Sequence, residues 1–118
     1  MDKEEMKHRT RQFALGVIRL VESLPKGRTA DVIGGQLLRA GTSVGAHYRA
    51  ACRAKSAADF ISKMGTVEEE ADECIYWMEL MLEARIVDQS ATAWLIKEAD
   101  EILAITVSSI KRVKARTR

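Results

Sequence analysis

Apolar side chains follow a helical period along most of the chain, and this pattern limits the possible folds more than any other feature. In the first segment, steps of four and three residues alternate through Met6, Thr10, Phe13, Val17, Leu20 and Leu24. Such spacing places side chains on one face of an α-helix. A second stripe of this kind runs from Phe60 to Met81. One proline and seven glycines among 118 residues are too few for an all-β protein with many tight turns. The chain is therefore predicted to be all-α.

Turn and capping signals divide the chain into four helices. Pro25-Lys26-Gly27 ends the first helix, since proline cannot continue it and glycine permits a reversal. Thr29 is the predicted N-cap of the second helix, and Ser56 with Asp59 resembles a capping box at the third. A break near 86–89 precedes the fourth. We predict a single domain over 1–118, an antiparallel up-down-up-down four-helix bundle with helices over about 4–24, 29–55, 57–84 and 90–114.

Two further patterns concern packing. Four glycines fall inside the second helix, where each costs about 1 kcal/mol relative to alanine, and their shared benefit would be close approach of a neighbouring helix; they are Gly34, Gly35, Gly41 and Gly45. The apolar faces of the first and fourth helices are wider than one packing seam requires. Wide faces indicate self-association, and the alternative is simply a thicker core.

The small net charge of +2 hides a strong segregation of charge along the chain. Residues 26–55 carry a net charge of +5 and residues 56–101 a net charge of −9. The second helix is thus basic and the third acidic, which favours their packing as neighbours. We predict that Arg39 and Arg53 form ion pairs with Glu70 and Glu73, which would fix the register of the two helices.

The C-terminal segment is also basic, with five cations and no acidic residue over 102–118. The basic run consists of Lys111, Arg112, Lys114, Arg116 and Arg118. Its first four cations, together with Arg28 and Arg49, are the six candidate contacts to nucleic-acid phosphates. No aromatic residue lies among them, so a stacking platform for single strands is not indicated. The alternative is a solvated helix end whose cations complement the helix dipole.

No catalytic, metal-binding or cofactor-binding pattern is found, so we expect a protein that is not an enzyme. A di-metal bundle needs two Glu-x-x-His motifs, and the chain has only Glu5-x-x-His8. His47 is expected to be a hydrogen-bonded interior side chain. Cys52 and Cys74 are interpreted as small buried hydrophobes in a reducing compartment. The chain shows no bilayer-spanning apolar run and no signal-peptide pattern, which favours a cytoplasmic protein.

Three stretches of the sequence, in order, resemble a known family. They are Phe13-Ala14-x-x-Val17-Ile18-x-Leu20 leading to Leu24-Pro25, then Gln36-Leu37-x-Arg39-Ala40-x-x-Ser43-Val44-x-Ala46, and Ser56-x-x-Asp59-Phe60-Ile61-x-Lys63-Met64 followed by Glu70-Ala71-x-Glu73 and Tyr76-Trp77. Over residues 9 to 110 the chain resembles the 23S rRNA intervening-sequence proteins. That family is also similar to the accessory variability protein of diversity-generating retroelements.

The resemblance implies ring-like homopentamers of antiparallel four-helix bundles, in a family for which no enzymatic activity is established and whose biological role is largely open. It also implies that one set of residues is architectural, at helix or subunit contacts; this set is Gln36, Arg39, Ser43, Arg53, Glu70, Glu73 and Trp77. The chain departs from the family pattern at His47, where the family has Asn, and at Ala50, where it has Glu. The polar network of the second helix is therefore expected to differ here.

Three functional hypotheses follow. The first is an oligomeric scaffold that binds RNA or DNA electrostatically, as the retroelement relatives bind nucleic acid. The second is an adaptor for a protein such as a reverse transcriptase or another mobile-element protein. The third and weakest is a metal-dependent enzyme.

Overall fold

A computed structural model describes residues 1–117 as four helices, with no strand in that range. The helices are α1 (Lys3–Glu22), α2 (Arg28–Ala51), α3 (Ala57–Glu83) and α4 (Gln89–Arg116). They pack into an elongated bundle with principal extents of 49 × 21 × 20 Å. The all-α prediction and the count of four helices are confirmed.

Consecutive helices run in opposite directions. One cavity is lined by Met6 near the start of α1, Tyr48 near the end of α2, Met64 near the start of α3 and Arg112 near the end of α4. The start of α1 thus lies beside the end of α4. Each helix packs on the next along the chain. Helix α1 also contacts α4; this contact is the sparsest of the four, and it closes the bundle.

Carboxylate and hydroxyl caps define the starts of three helices. Asp2 accepts a hydrogen bond from the Glu5 amide at 2.8 Å, and Asp88 accepts one from Ala91 at 3.1 Å. Ser56 accepts from the Asp59 amide at 3.0 Å, and this confirms the sequence prediction for α3. Each cap satisfies one of the amides that the first helical turn leaves without a partner.

The start of α2 differs from the prediction, because Thr29 lies inside the helix and is not its N-cap. The capping position is Gly27, which has φ of 148° and no side chain to form a cap. Its carbonyl accepts the first helical bond, from the Asp31 amide at 3.0 Å. Glycine tolerates this backbone conformation without steric cost. The turn after Pro25 therefore starts the helix one residue before the hydroxyl that was expected to cap it.

Helix α2 ends at Ala51, four residues before the predicted end. Ala51 is the last buried residue of its apolar seam. The chain then turns over 52–56, so that Ser56 reaches the start of α3. Position 53 consequently lies in a turn and not on the α2 surface.

The predicted apolar stripes form the core. Helix α1 buries Met6, Thr10, Phe13, Val17 and Leu20, and α3 buries Met64, Val67, Ala71, Cys74, Met78 and Met81. Leu37 and Val44 of α2 and Ile102 of α4 complete its centre. Ile18 of α1, one residue after buried Val17, is 36% exposed.

Glycines allow α1 and α2 to approach closely, as their placement predicted. A β-carbon at Gly41 would lie 2.8 Å from Val17 Cγ1, and one at Gly34 would lie 2.7 Å from Leu24 Cδ1. A β-carbon at Gly35 would meet nothing within 4 Å. The close-approach argument therefore holds for Gly41 and for Gly45, where a β-carbon would lie 3.2 Å from Thr10 Oγ1 of α1, and it fails for Gly35. The contact at Gly34 is with the end of a side chain in the turn after α1.

Candidate nucleic-acid interface

The basic run at the end of α4 lies exposed on the last two turns of the helix. Within residues 1–117 none of its side chains forms an ion pair; the run consists of Lys111, Arg112, Lys114 and Arg116. Arg112 donates one hydrogen bond, to Ser109 Oγ at 3.3 Å. Arg118, which also belongs to the predicted run, lies outside the described residues. These cations are therefore available to an anionic partner.

This end of the bundle also opens into a cavity of about 350 Å³ that all four helices line. We call the turns around it, at the starts of α1 and α3 and the ends of α2 and α4, the basic end. Met6 and Met64 contribute apolar wall, whereas Ser108, Ser109 and Arg112 contribute polar groups. Burial raises the pKa of Tyr48, and the neighbouring Cys52 adds to the effect. The phenol is thus neutral at physiological pH.

Arg49 and Arg28 lie at opposite ends of α2. Arg49 is exposed in the last turn, at the basic end, whereas Arg28 is the first residue of the helix. At 1.5 Å per residue their backbones are separated by about 30 Å. The structure thus places five of the six predicted phosphate contacts, those other than Arg28, at the basic end.

Arg49 lines a groove of about 450 Å³ between α1 and α2. Two cations of α1, Lys7 and Arg11, line it as well. We call this the α1–α2 groove; its full lining is Glu4, Lys7, His8, Thr10, Arg11, Ala14, Thr42, Gly45, Ala46 and Arg49. Sequence reasoning named only Arg49 from this group.

An ion-pair cluster joins α2 to α3 around Arg39. Its guanidinium donates to Glu70 at 3.0 Å and also to Glu73, and its Nε donates to Gln36 Oε1 at 3.4 Å. The Trp77 indole N–H donates to Glu73 at 3.1 Å. The pKa of Glu73 is lowered by the Trp77 hydrogen bond and also by Arg39, while that of Arg39 is raised chiefly by Glu73. Both shifts favour the charged forms of Arg39 and Glu73.

The structure does not bring Ser43 or Arg53 into this cluster. Ser43 is half-buried and its hydroxyl makes no hydrogen bond within the described chain. Arg53 is exposed in the turn after α2 and makes no ion pair among residues 1–117. The prediction for Arg53 assumed a longer helix, and the end of α2 at Ala51 removes it from the face that bears Arg39.

A second ion-pair cluster was not predicted. Arg9 of α1 donates from Nε and Nη2 to the two carboxylate oxygens of Glu98 on α4, at 2.7 and 2.8 Å. Its Nη2 also lies 3.2 Å from Glu101. Hydrogen bonding to Glu98 raises the pKa of Arg9. The sequence did contain a signal for this cluster, because Glu98 is an acidic residue between Leu95 and Ile102 on an apolar helix face. A carboxylate buried on such a face requires a partner.

His47 is exposed, so its assignment to the interior was wrong. It lies one residue before buried Tyr48, and this step of about 100° turns its side chain away from the core. His8 is exposed as well. Within residues 1–117 no group of three or more His, Cys, Asp or Glu side chains is arranged to hold a metal ion.

Among residues 1–117 no helix has both the length and the apolar character needed to cross a membrane.

Comparisons with known proteins agree on one family. The profile of the family described as 23S rRNA-intervening sequence protein matches residues 2–108. A crystal structure from Bacteroides thetaiotaomicron VPI-5482, of a protein with unknown function from the S23 ribosomal protein family, superposes with a TM-score of 0.84. It shares 33% sequence identity, and the match covers 90% of this chain and 98% of that chain. No curated protein matches.

Proposed function

This chain belongs to the family of 23S rRNA-intervening sequence proteins, and from that premise we propose that it is a non-enzymatic, oligomeric scaffold that binds nucleic acid by its phosphates. One observation carries the proposal: four exposed cations at the end of α4 make no ion pair among residues 1–117. A purely structural helix end gains little from so many uncompensated charges, whereas each can release a counterion on meeting a phosphate.

Binding of this kind is electrostatic and has little sequence preference. Phosphate contacts position a nucleic acid, whereas contacts to base edges read its sequence. The cations of α4 lie on the last turns of the helix and offer no extended face that could enter the groove of a nucleic-acid duplex. RNA and DNA are both candidate ligands, and the family description favours RNA as the first to test. The two free thiols, Cys52 and Cys74, fit a reducing compartment such as the cytoplasm.

The scaffold is proposed to be a ring-like homopentamer. Exposed apolar side chains on several helices support self-association, because a monomer would leave them in water; they are Leu15, Ile18, Val32, Tyr76 and Trp94. Five copies would present each basic end five times, so individually weak phosphate contacts would add. Light scattering should give a mass five times the 13.2 kDa of one chain.

The decisive experiment measures binding to a labelled structured RNA and a matched DNA duplex over a salt series. The protein is first freed of co-purifying nucleic acid. We expect the logarithm of the affinity for the duplex to fall with the logarithm of salt, with a slope of about −0.9 per phosphate contact. Neutralising Lys111, Arg112 and Lys114 together, by substitution to Gln, should reduce that slope by roughly two to three.

A matched control neutralises three exposed cations away from the basic end: Arg19, Lys26 and Lys97. It has the same net charge as the test variant, so a general loss of positive charge affects both alike. Equal loss of binding in the two variants would contradict a site at the end of α4. Absence of binding by the wild-type protein at low salt would reject the proposed function.

A protein adaptor is the second candidate function. Val32, Tyr76 and Trp94 are each more than half exposed, which is unusual for side chains of this size and favours burial against another protein. The test mixes the protein with a purified reverse transcriptase after nuclease treatment of both. A nuclease-resistant complex that Tyr76→Ser and Trp94→Ser weaken would favour the adaptor over the nucleic-acid scaffold.

The non-enzymatic part of the proposal has its own test. Protein purified without added metal is analysed for bound iron, manganese and zinc. A stoichiometric amount of one of them would revive the metal-dependent enzyme, which the sequence ranks last.

A further inference from the structure

The α1–α2 groove carries positive charge on both of its walls. Lys7 and Arg11 are one helical turn apart on α1, and Arg49 lies on the α2 side. The acidic residue in the lining is Glu4, and it already accepts a hydrogen bond from Lys7 at 3.3 Å. Arg11 and Arg49 make no ion pair within residues 1–117. The groove therefore has an unbalanced positive charge.

The floor of the groove consists of small side chains. Helices α1 and α2 approach closely here, and a β-carbon on Gly45 would lie 3.2 Å from Thr10 Oγ1. Ala14 and Ala46 continue the floor on either side. A floor without long side chains lets a ligand backbone come near the helices, where the cations on the walls can reach it. His8 at the rim can donate a hydrogen bond from its imidazole ring in either charge state.

The lining contains no Phe, Tyr or Trp and no large aliphatic side chain, and its one ring is the His8 imidazole. A single exposed imidazole is no platform for stacking successive bases, and an amphipathic helix of a partner would find no apolar pocket for its anchors. Repeated negative charge on an extended chain is the property that the groove can recognise. From Glu4 to Ala14 it spans about 15 Å of α1, which is long enough for a short run of phosphates of one nucleic-acid strand.

We propose that the α1–α2 groove is a second nucleic-acid site, which holds a short segment of one strand by its phosphates through Lys7, Arg11 and Arg49. This inference rests on the proposed function, since the ligand is the same. The proposed site lies on the side of the bundle and includes two cations of α1. It is separate from the basic run on α4. Because Arg49 lies at the basic end, a strand seated in the groove also emerges near that end.

The first test neutralises groove cations one at a time. Arg11→Gln and Arg49→Gln are each compared with Arg19→Gln, which removes an exposed charge of α1 that does not line the groove. On duplex DNA we expect each groove variant to reduce the salt slope by about 0.9, which corresponds to roughly eightfold weaker binding at 0.1 M salt. Arg19→Gln should leave the slope unchanged. Unchanged binding by Arg11→Gln would overturn the groove site.

The second test fills the groove without changing charge. Ala46 is exposed on the floor, so Ala46→Phe obstructs the ligand and leaves the core intact. Ala93→Phe adds the same ring at an exposed position of α4. We expect at least fivefold weaker binding for Ala46→Phe at 0.1 M salt and no change for Ala93→Phe, with thermal unfolding showing that both variants fold.

The two proposals fail in different ways. If only the α4 variant Lys111→Gln/Arg112→Gln/Lys114→Gln loses affinity, the groove site is wrong and the proposed function stands. If the wild-type protein binds neither RNA nor DNA, both are wrong. If Ala46→Phe instead changes the oligomeric mass, the groove is an interface between copies and the proposal is overturned. Equally tight binding of poly-glutamate that Arg11→Gln weakens to the same extent would also overturn it, in favour of an acidic polypeptide.

Discussion

Arg85, just after α3, occupies the left-handed region with φ of 60°. The Arg85 amide donates to the Leu82 carbonyl at 3.0 Å, and the Ile86 amide donates to the Met81 carbonyl at 2.9 Å. These two bonds form a Schellman motif, in which glycine is the usual residue at this position. Ile86 then packs against the core. The turn is thus built at some steric cost by a residue with a β-carbon.

Replacing Arg85 by glycine should stabilise the protein. Arg85→Gly removes the β-carbon that conflicts with positive φ, and we expect the free energy of unfolding to rise by about 1 kcal/mol. Urea denaturation measures the change. Arg85→Ala serves as the control, since it removes the charge but keeps the β-carbon and should bring little gain. An equal gain from both substitutions would attribute the effect to charge instead of backbone strain.

Single residues were predicted well where helical periodicity alone placed them, and poorly elsewhere. Arg39, Glu70 and Glu73 lie near the middle of long helices, so their faces follow from the apolar stripes. The predicted position of His47 depended on a single step around the helix. That of Arg53 depended on the residue at which α2 ends. Sequence periodicity determines neither of these to within one residue.

At the scale of elements, α4 depends on the cap at Asp88. The Ser90 hydroxyl and the Ala91 amide both donate to its carboxylate, at 2.6 and 3.1 Å. The Ser90 bond, followed by that of Ala91, lowers the pKa of Asp88 below its ordinary value of 3.8. A lowered pKa means that the cap contributes stability above the unfolded-state value of 3.8, and that this contribution is lost as the pH falls through the folded-state pKa.

The substitution Asp88→Asn should remove this acid sensitivity while keeping a cap. Asparagine also caps helices, and its amide does not titrate in this range. We expect the drop in the thermal midpoint between pH 5 and pH 3 to be smaller in Asp88→Asn than in the wild type. Asp100→Asn, at an exposed position of the same helix, is the matched control. An identical pH profile for wild type and Asp88→Asn would show that the carboxylate charge is irrelevant to the cap.

The pairing of α1 with α2 rests on Gly41 and not on Gly35. Gly41→Ala would place a β-carbon 2.8 to 3.0 Å from three atoms of the Val17 side chain, which is β-branched and has little freedom to move away. We expect a loss of about 1 to 3 kcal/mol in the free energy of unfolding. Gly35→Ala meets nothing within 4 Å and should instead stabilise α2 by about 1 kcal/mol. Chemical denaturation of the two variants should therefore give shifts of opposite sign.

Helix starts could be predicted from sequence where a capping side chain was present, as at Ser56. The end of α2 could not, because 52–55 contain no glycine or proline that would stop a helix. The turn there depends on the loss of buried partners after Ala51 and on the cap that draws the chain into α3. Both are tertiary effects, which local propensity does not contain.

For the whole molecule, apolar stripes and short turns were sufficient to predict the four-helix arrangement. Candidate binding surfaces were harder to predict, because they combine residues from separate helices without any repeat. The α1–α2 groove joins Lys7 and Arg11 to Arg49, which is 38 residues further along the chain than Arg11. Such a juxtaposition emerges only once the helices are packed.

The contact between α1 and α4 should depend on Arg9. Its side chain is 21% exposed and that of Glu98 only 10%, so removing the guanidinium leaves a carboxylate with little access to water. We expect Arg9→Gln to reduce the free energy of unfolding by about 2 kcal/mol. Lys7→Gln breaks an exposed pair and should cost about 0.3 kcal/mol. Similar losses in the two variants would mean that the Arg9 pair is no stronger than a surface pair.

The seam between α1 and α4 also bears on the order in which the molecule folds. Three of the four helix–helix contacts in the bundle join helices that are neighbours along the chain. The fourth joins α1 to α4, where the paired residues Arg9 and Glu98 are 89 residues apart. Contacts between neighbours form early because little chain entropy is lost in closing short loops, and the seam can close only when both terminal helices are in place. The ion pair between Arg9 and Glu98 is thus expected to form after the transition state for folding. Loss of Arg9 should therefore accelerate unfolding in stopped-flow measurements and leave the refolding rate nearly unchanged.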